Sequence, residues 1–394
     1  MSQDVKLLVS LFLPFFLIHC VQQIYLTYAI LLRSYGFSYE ATGLVIGTYS
    51  LAAMLTRPLG SWLLENFGIR KMLVWSGMLS LIGCSLLFFK ESTTLLLIGR
   101  AVSGAAFGIY SMGLFSHQAL CVSEKRRGAM FSLLVLGSIL PMGAVAPLGE
   151  WFLYSSRYTL YLAIGPALSL LCCFFGGRVN IAITQETHNI SKKAWGTYSG
   201  LFSSRAFLFL ALTGTVIALV DALIIKLSLL AYEQGLVTSY FLVGASVTAI
   251  IVRLPGASLL NALPRIPLLA PCGIFMSCSM ILVALFPSNS TLIAGGILFG
   301  LGLGAGWPMY HALISDLLDP VLRPKGTATA LLLYDTGFFI TPLIVGYFLP
   351  RFGTTGTFAT IAIVAGSALV LLEIFYWLPF YRKSRSSKEN KEIN

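Results

Sequence analysis

Apolar residues run along this chain in stretches of about twenty or more, broken by short charged or Gly/Pro-rich hairpins. A run that long carries a helix across ~30 Å of hydrocarbon, where a backbone satisfies its own hydrogen bonds only as a helix or a closed barrel. The runs are continuous rather than alternating over ten residues, which excludes a barrel. Reading charges and Gly/Pro clusters as breaks predicts an all-α integral membrane protein with twelve spans. Their expected limits are 7–32, 40–64, 72–89, 93–118, 129–152, 158–176, 206–231, 236–260, 268–286, 291–314, 327–349 and 356–380. The first run is long enough to stay as a spanning helix rather than act as a cleaved leader.

The pattern also repeats. A tight charged hairpin from Arg57 to Lys71 follows the second span, and Arg253-Leu254-Pro255-Gly256 stands 196 positions after Arg57-Pro58-Leu59-Gly60. In the fourth span Gly104 and Gly108 are four apart, a spacing that lets another helix approach closely. Gly300 and Gly304 repeat them at the same offset of 196, while Gly296 stands where Arg100 would be. Two copies of a six-span unit are expected: bundles over 1–176 and 206–380, a polar cytoplasmic linker over 177–205 and a disordered basic tail over 381–394.

Composition fits this picture, with 57% apolar and 10% charged residues and a mean hydropathy of +0.85. The formal charge of +11 would point to nucleic acid in a soluble chain; here its placement matters more. With the N-terminus inside, eighteen of the 26 Lys and Arg fall on that side, and Arg33, Lys90, Arg157 and Arg351 fall outside. That bias places both termini in the cytoplasm of a multi-pass protein of the inner membrane, with no nucleic-acid partner. The seven cysteines lie in or beside apolar spans without zinc spacing and read as small buried hydrophobes. No metal or cofactor is expected. Trp62, Trp75, Trp151 and Trp377 near span ends read as interface anchors.

Polar residues at mid-depth carry the candidate chemistry, because such groups must face protein or water. His19, Gln22 and Gln23 share one face of the first span about 18 Å in from Leu7, with Tyr25 close by. His19 titrates near working pH. Arg100 costs ~3 kcal/mol or more unless paired or wetted. In the seventh span Asp221 and Lys226 lie ~140° apart around the helix, so each needs a partner elsewhere. Asp221 is the leading proton carrier; a structural ion pair is the alternative. The tenth span adds Trp307 and His311, the eleventh Tyr334 and Asp335. In the fifth span, Gly143 through Pro147 to Gly149 predicts a broken helix.

These residues resemble the major facilitator superfamily of secondary transporters. Leu63, Glu65, Gly68 and Arg70 are similar to that family's signature between the second and third helices, with Ser61 in place of Gly, Glu65 of Asp, and Ile69 of a basic residue. Arg100 with Gly104 and Gly108 resembles its fourth-helix motif, whose arginine the family associates with proton coupling. The resemblance implies two parallel six-helix halves around a central site. Pro147 with Gly143 partly matches the fifth-helix element of proton antiporters. The stretch Arg57-Pro58-Leu59 looks like bacterial drug and metallophore exporters.

The function expected is alternating-access transport, as proton-coupled export of a small organic molecule such as a drug or siderophore. Proton-coupled uptake of a small polar metabolite is the alternative. Asp221, Arg100, His19 and Asp335 are expected to couple protons. Gln22, Gln23, Tyr25, Lys226, Trp307, His311 and Tyr334 are expected to bind substrate. Arg57, Glu65, Gly68, Arg70, Lys71 and Glu124 are expected to form a cytoplasmic gate on a monomer. A membrane enzyme is disfavoured, since no GxSxG, HExxH or P-loop is present; a non-transporting sensor would bind ligand without flux.

Overall fold

The structure, a computed structural model, describes residues 3–121, 124–179, 198–254, 264–319 and 322–392. Among them there is no strand, and nine helices are long and apolar enough to cross a membrane. The last of these, Thr329–Ser386, bends at Gly353, whose φ of 67° interrupts the helix, and so counts as two spans. Tyr39–Phe67 and Ser239–Arg253 fall short of that measure and complete the twelve expected spans. With an even number of spans both chain ends lie on one face, called here the terminal face; the opposite one is the far face.

Local sequence explains the turns. Ser38 caps the second span by accepting from the Ala41 N–H. Gly68, at φ 75°, ends that span with its N–H on Leu64 O and starts the third. A side chain there would strain the backbone. Ser288 and Thr291 cap the tenth span reciprocally.

The internal repeat shows in packing. A Cβ on Gly104 would lie 2.1 Å from Tyr49 O, and one on Gly300 2.5 Å from Ala245 O. Tyr49 and Ala245 are themselves 196 positions apart. Both glycines thus allow the same backbone crossing in each half. The helix breaks repeat too. The first span runs Gln3–Ile24, turns through Tyr25–Thr27 and resumes as Tyr28–Ser34. The seventh runs Arg205–Asp221 and resumes as Ile224–Glu233. The prolines do not break the fifth span, which stays helical over Glu124–Tyr154 through Pro141 and Pro147.

The halves meet along two seams. The second span packs on the eleventh, where a Cβ on Gly43 would lie 2.6 Å from Pro342 O, and the fifth packs on the eighth, with Gly143 against Ser246. At the far face the buried Glu150 carboxylate accepts from Thr238 N and Ser239 N, both at 2.7 Å, and from Ser239 Oγ. An anion from the first half thereby caps a helix start in the second, where the macrodipole favours it. Tyr154 donates to Leu236 O at 2.9 Å. Glu233 accepts from Tyr39 at 2.6 Å and from Thr354. The far face is closed.

Two expectations change. The tail is not an irregular end: Leu378–Glu392 is helical and prolongs the twelfth span. Trp377 is no interface anchor, being fully buried with Nε1 donating to Thr213 Oγ1 at 2.9 Å. The linker expected over 177–205 lies mostly outside the described residues; Tyr198–Ser203 within it is helical.

Candidate functional site

The break in the seventh span leaves Asp221 at a helix end, buried, with one carboxylate oxygen accepting from Tyr334 Oη at 2.7 Å. Tyr334 belongs to the eleventh span and packs edge-on against Trp307 at 4.7 Å; His311 lies 4.6 Å from Trp307 on its other side. So Asp221, Tyr334, Trp307 and His311, picked out separately along the chain, form one cluster in the second half. His311 lies within electrostatic reach of both Arg253 and Arg57.

The next residue along, Asp335, crosses to the other half. It pairs with Arg57 of the second span, Nη2 to Oδ1 at 3.0 Å with a second contact through Nε. Arg57 thereby bridges the halves on the terminal side of the centre. Its repeat partner Arg253 is buried and donates to the carbonyls of Gly304 and Leu303; the position 196 before Asp335 is Ile139, so the repeat offers it no acid.

Other residues stand apart, so the four groups expected to relay protons do not form one cluster. His19 holds Phe15 O through Nδ1 at 2.8 Å and packs between the Phe15 and Phe107 rings. Arg100, 5% exposed, lies over Tyr49 at 4.3 Å and Tyr28 at 5.6 Å. Its Nε has no hydrogen-bond partner. The rings supply a cation–π face where an acid would otherwise be needed. Tyr25 does not line a crevice: its hydroxyl donates to Leu162 O at 3.1 Å inside the first half. Gln22 and Gln23 are partly buried, and Gln23 Oε1 has no donor. Lys226 is 1% exposed and bonds to none of the described residues.

At the terminal face Arg70 donates to Val179 O at 2.9 Å, which ties the hairpin to the end of the sixth span. The side chains of Glu65 and Glu124 lie outside the described residues. Among the described residues no group of three His, Cys, Asp or Glu is arranged for a metal. Glu150, Glu233 and Tyr39 escaped sequence reasoning, and Arg33 was read only as an outside charge, because single polar residues at span ends look like ordinary solvated positions.

The profile described as Major Facilitator Superfamily matches residues 11–287 and 201–393. The chain belongs to that superfamily. The chain is 25% identical to monocarboxylate transporter 13 of Rattus norvegicus over 328 residues, 79% of this chain and 74% of that protein. It is 32% identical over 133 residues to facilitated glucose transporter member 10 of Danio rerio, spanning only 25% of that relative. A crystal structure of a POT-type peptide transporter superposes with a TM-score of 0.74 at 15% identity, covering 93% of each chain. The human organic anion transporter MFSD10 gives 0.69 at 14%, covering 94% of this chain and all of that one. At such identities the superpositions establish the fold alone.

Proposed function

We propose that this superfamily member is a proton-coupled carrier of a small organic anion, working by alternating access between bundles 1–176 and 206–380. The observation that carries the reading is the pair of neighbours on the eleventh span: Tyr334 holds Asp221, and Asp335 holds Arg57 of the other half. A proton taken up at Asp221 removes the charge that Tyr334 serves, and the helix that responds is the one latching the halves together. Coupling requires that proton and substrate each favour one state over the other, and this helix is where both preferences meet. Trp307 and His311 would flank the substrate.

The anionic class follows from charge. Arg100, Arg253 and Lys226 are buried with no acidic partner among the described residues; rings and carbonyls serve the first two without neutralising them, and a buried positive charge lacking a counter-charge favours an anionic guest. The names of the rat monocarboxylate transporter and the human organic anion transporter point the same way. The protein would sit as a monomer in the inner membrane with both termini cytoplasmic, its hairpin around Gly68 and Arg70 steadying the cytoplasmic gate.

Export of a drug-like molecule or metallophore by proton antiport is the second reading, favoured by Arg57-Pro58-Leu59 before the hairpin. Proteoliposomes holding the protein, given an imposed pH gradient, separate the two. Accumulation of labelled carboxylates on the alkaline side supports anion symport. Accumulation of drug-like cations on the acidic side, with carboxylates unmoved, replaces it by antiport.

A further inference from the structure

Inside the second half, the tenth span lacks one rung of its own hydrogen-bond ladder. Pro308 lies within the helix Asn289–Leu317. It has no N–H to give Gly304 O four residues earlier, and its ring crowds that carbonyl. At membrane depth a carbonyl left open is costly unless a neighbour serves it. The neighbour is Arg253, the last residue of the eighth-span helix Ser239–Arg253. It is 6% exposed; its Nε donates to Gly304 O at 3.3 Å and its Nη2 to Leu303 O at 3.2 Å. The bare glycine makes this approach possible, since a Cβ on Gly304 would lie 2.9 Å from Val252 Cβ and 3.0 Å from Ala249 Cα.

The repeat supplies a natural control. The positions 196 before Gly304, Pro308 and Arg253 hold Gly108, Met112 and Arg57. Met112 keeps an N–H for Gly108 O within the helix Thr93–Cys121, and Arg57 crosses to Asp335 of the other half. Where the helix has its own donor, the arginine latches the halves. Where proline removes that donor, the arginine turns back onto its own half.

Trp307 directly precedes the break and His311 follows it. Trp307 meets His311 at 4.6 Å and Tyr334 at 4.7 Å, and Tyr334 holds Asp221. Packing alone does not fix Trp307, because a void lined by Leu303, Trp307, Tyr310 and Tyr334 adjoins it. We propose that Arg253 is a positioning residue for this site: by replacing the donor that Pro308 removes, it sets how the tenth span presents Trp307 and His311 to Tyr334 and Asp221. This deepens the carrier reading, on which it rests only for the use of the cluster as a transport site.

The test needs no substrate, so its outcome is separate from whether an anion is carried. 5-Fluorotryptophan replaces all six tryptophans, and Trp307→Phe assigns the Trp307 fluorine resonance of the protein in detergent. Arg253→Gln is expected to shift or broaden that resonance and to lower Tm by a few degrees. The Trp377 resonance, from a ring bonded to Thr213 in the same half, should stay in place. Pro308→Ala returns an N–H to Gly304 O and should also move the Trp307 resonance. In that background Arg253→Gln should add little further loss of Tm and no further shift, the mark of two residues serving one carbonyl. Should Arg253→Gln alone not fold, folded protein in the double variant is the expected result. An unmoved Trp307 resonance in Arg253→Gln overturns the proposal. So does an equal loss of Tm with and without Pro308, or a double variant that fails to fold where Pro308→Ala folds.

Discussion

Asp335 of the eleventh span meets Arg57 of the second across the boundary between the halves, with Nη2 of the arginine 3.0 Å from Oδ1. Both side chains are mostly buried, at 19% and 14% exposure, so the pair acts in a medium where charges attract more strongly than in water. On the opposite side of the membrane centre the seam is held by Glu150 and Glu233. The Arg57–Asp335 pair stands level with His311 and Tyr334 on the terminal side of the centre, so the seam is held in both halves of the membrane.

The Arg57–Asp335 latch leads to a charge-reversal experiment. Asp335→Asn and Arg57→Gln should each lower pH-driven flux by about tenfold or more, because each strands one partner of a buried pair. The double variant Arg57→Asp with Asp335→Arg should recover part of the loss. Flux in proteoliposomes measures all three; recovery no better than the single variants would remove the latch from the cycle.

Asp221→Asn keeps a group that can accept from Tyr334 but cannot lose a proton. Gradient-driven accumulation is expected to fall to background while substrate exchange without a gradient continues. Tyr334→Phe instead leaves the Asp221 carboxylate without its donor, a cost of about 1–3 kcal/mol, and should lower Tm as well as flux. Full gradient-driven accumulation in Asp221→Asn would place the proton elsewhere.

Glu150 predicts a change in resting conformation. Glu150→Ala leaves the Thr238 and Ser239 amides at the start of the eighth span uncapped, which costs about 1 kcal/mol for a cap and more for a charged one. The far face should open more often, read as faster maleimide labelling of a cysteine introduced at the half-buried Leu236, whose side chain is not part of the clasp. Glu150→Gln should lie between the alanine variant and wild type.

Glycines at helix crossings should tolerate nothing larger. Gly104→Ala places a Cβ 2.1 Å from Tyr49 O, and Gly300→Ala one 2.5 Å from Ala245 O, so each should lower Tm by several degrees through overpacking. Gly356→Ala, whose nearest neighbour would be the Phe352 side chain at 3.3 Å, serves as the control with little change.

Much of this architecture was legible beforehand because membrane spans depend on run length and the repeat on spacing. The offset of 196 that linked Arg57 to Arg253 also fixes the helix restarts at Tyr28 and Ile224 and the paired glycine contacts. Partner identity was less legible. Asp221 and Tyr334 are 113 positions apart and Arg57 and Asp335 are 278 apart, distances over which a single chain carries no local pattern. Tyr25 misled for the same reason, since its polar hydroxyl finds Leu162 O in the sixth span rather than a crevice. Pro147 misled differently: a proline inside a membrane helix is tolerated when neighbours and kinking absorb the lost bond, so the true breaks fell at Tyr25–Thr27 and after Asp221, where no proline stands.

Because the seventh span comes in two pieces, the stretch Ile224–Glu233 is a lever ten residues long, hinged beside the carboxylate it adjoins. Swinging it outward, together with the seven-residue counterpart Tyr28–Ser34, would uncover the far mouth while the longer stems stay seated. Opening that side would then disturb only a small part of the packed interior, and under the proposed coupling the pivot would register whether Asp221 bears a proton.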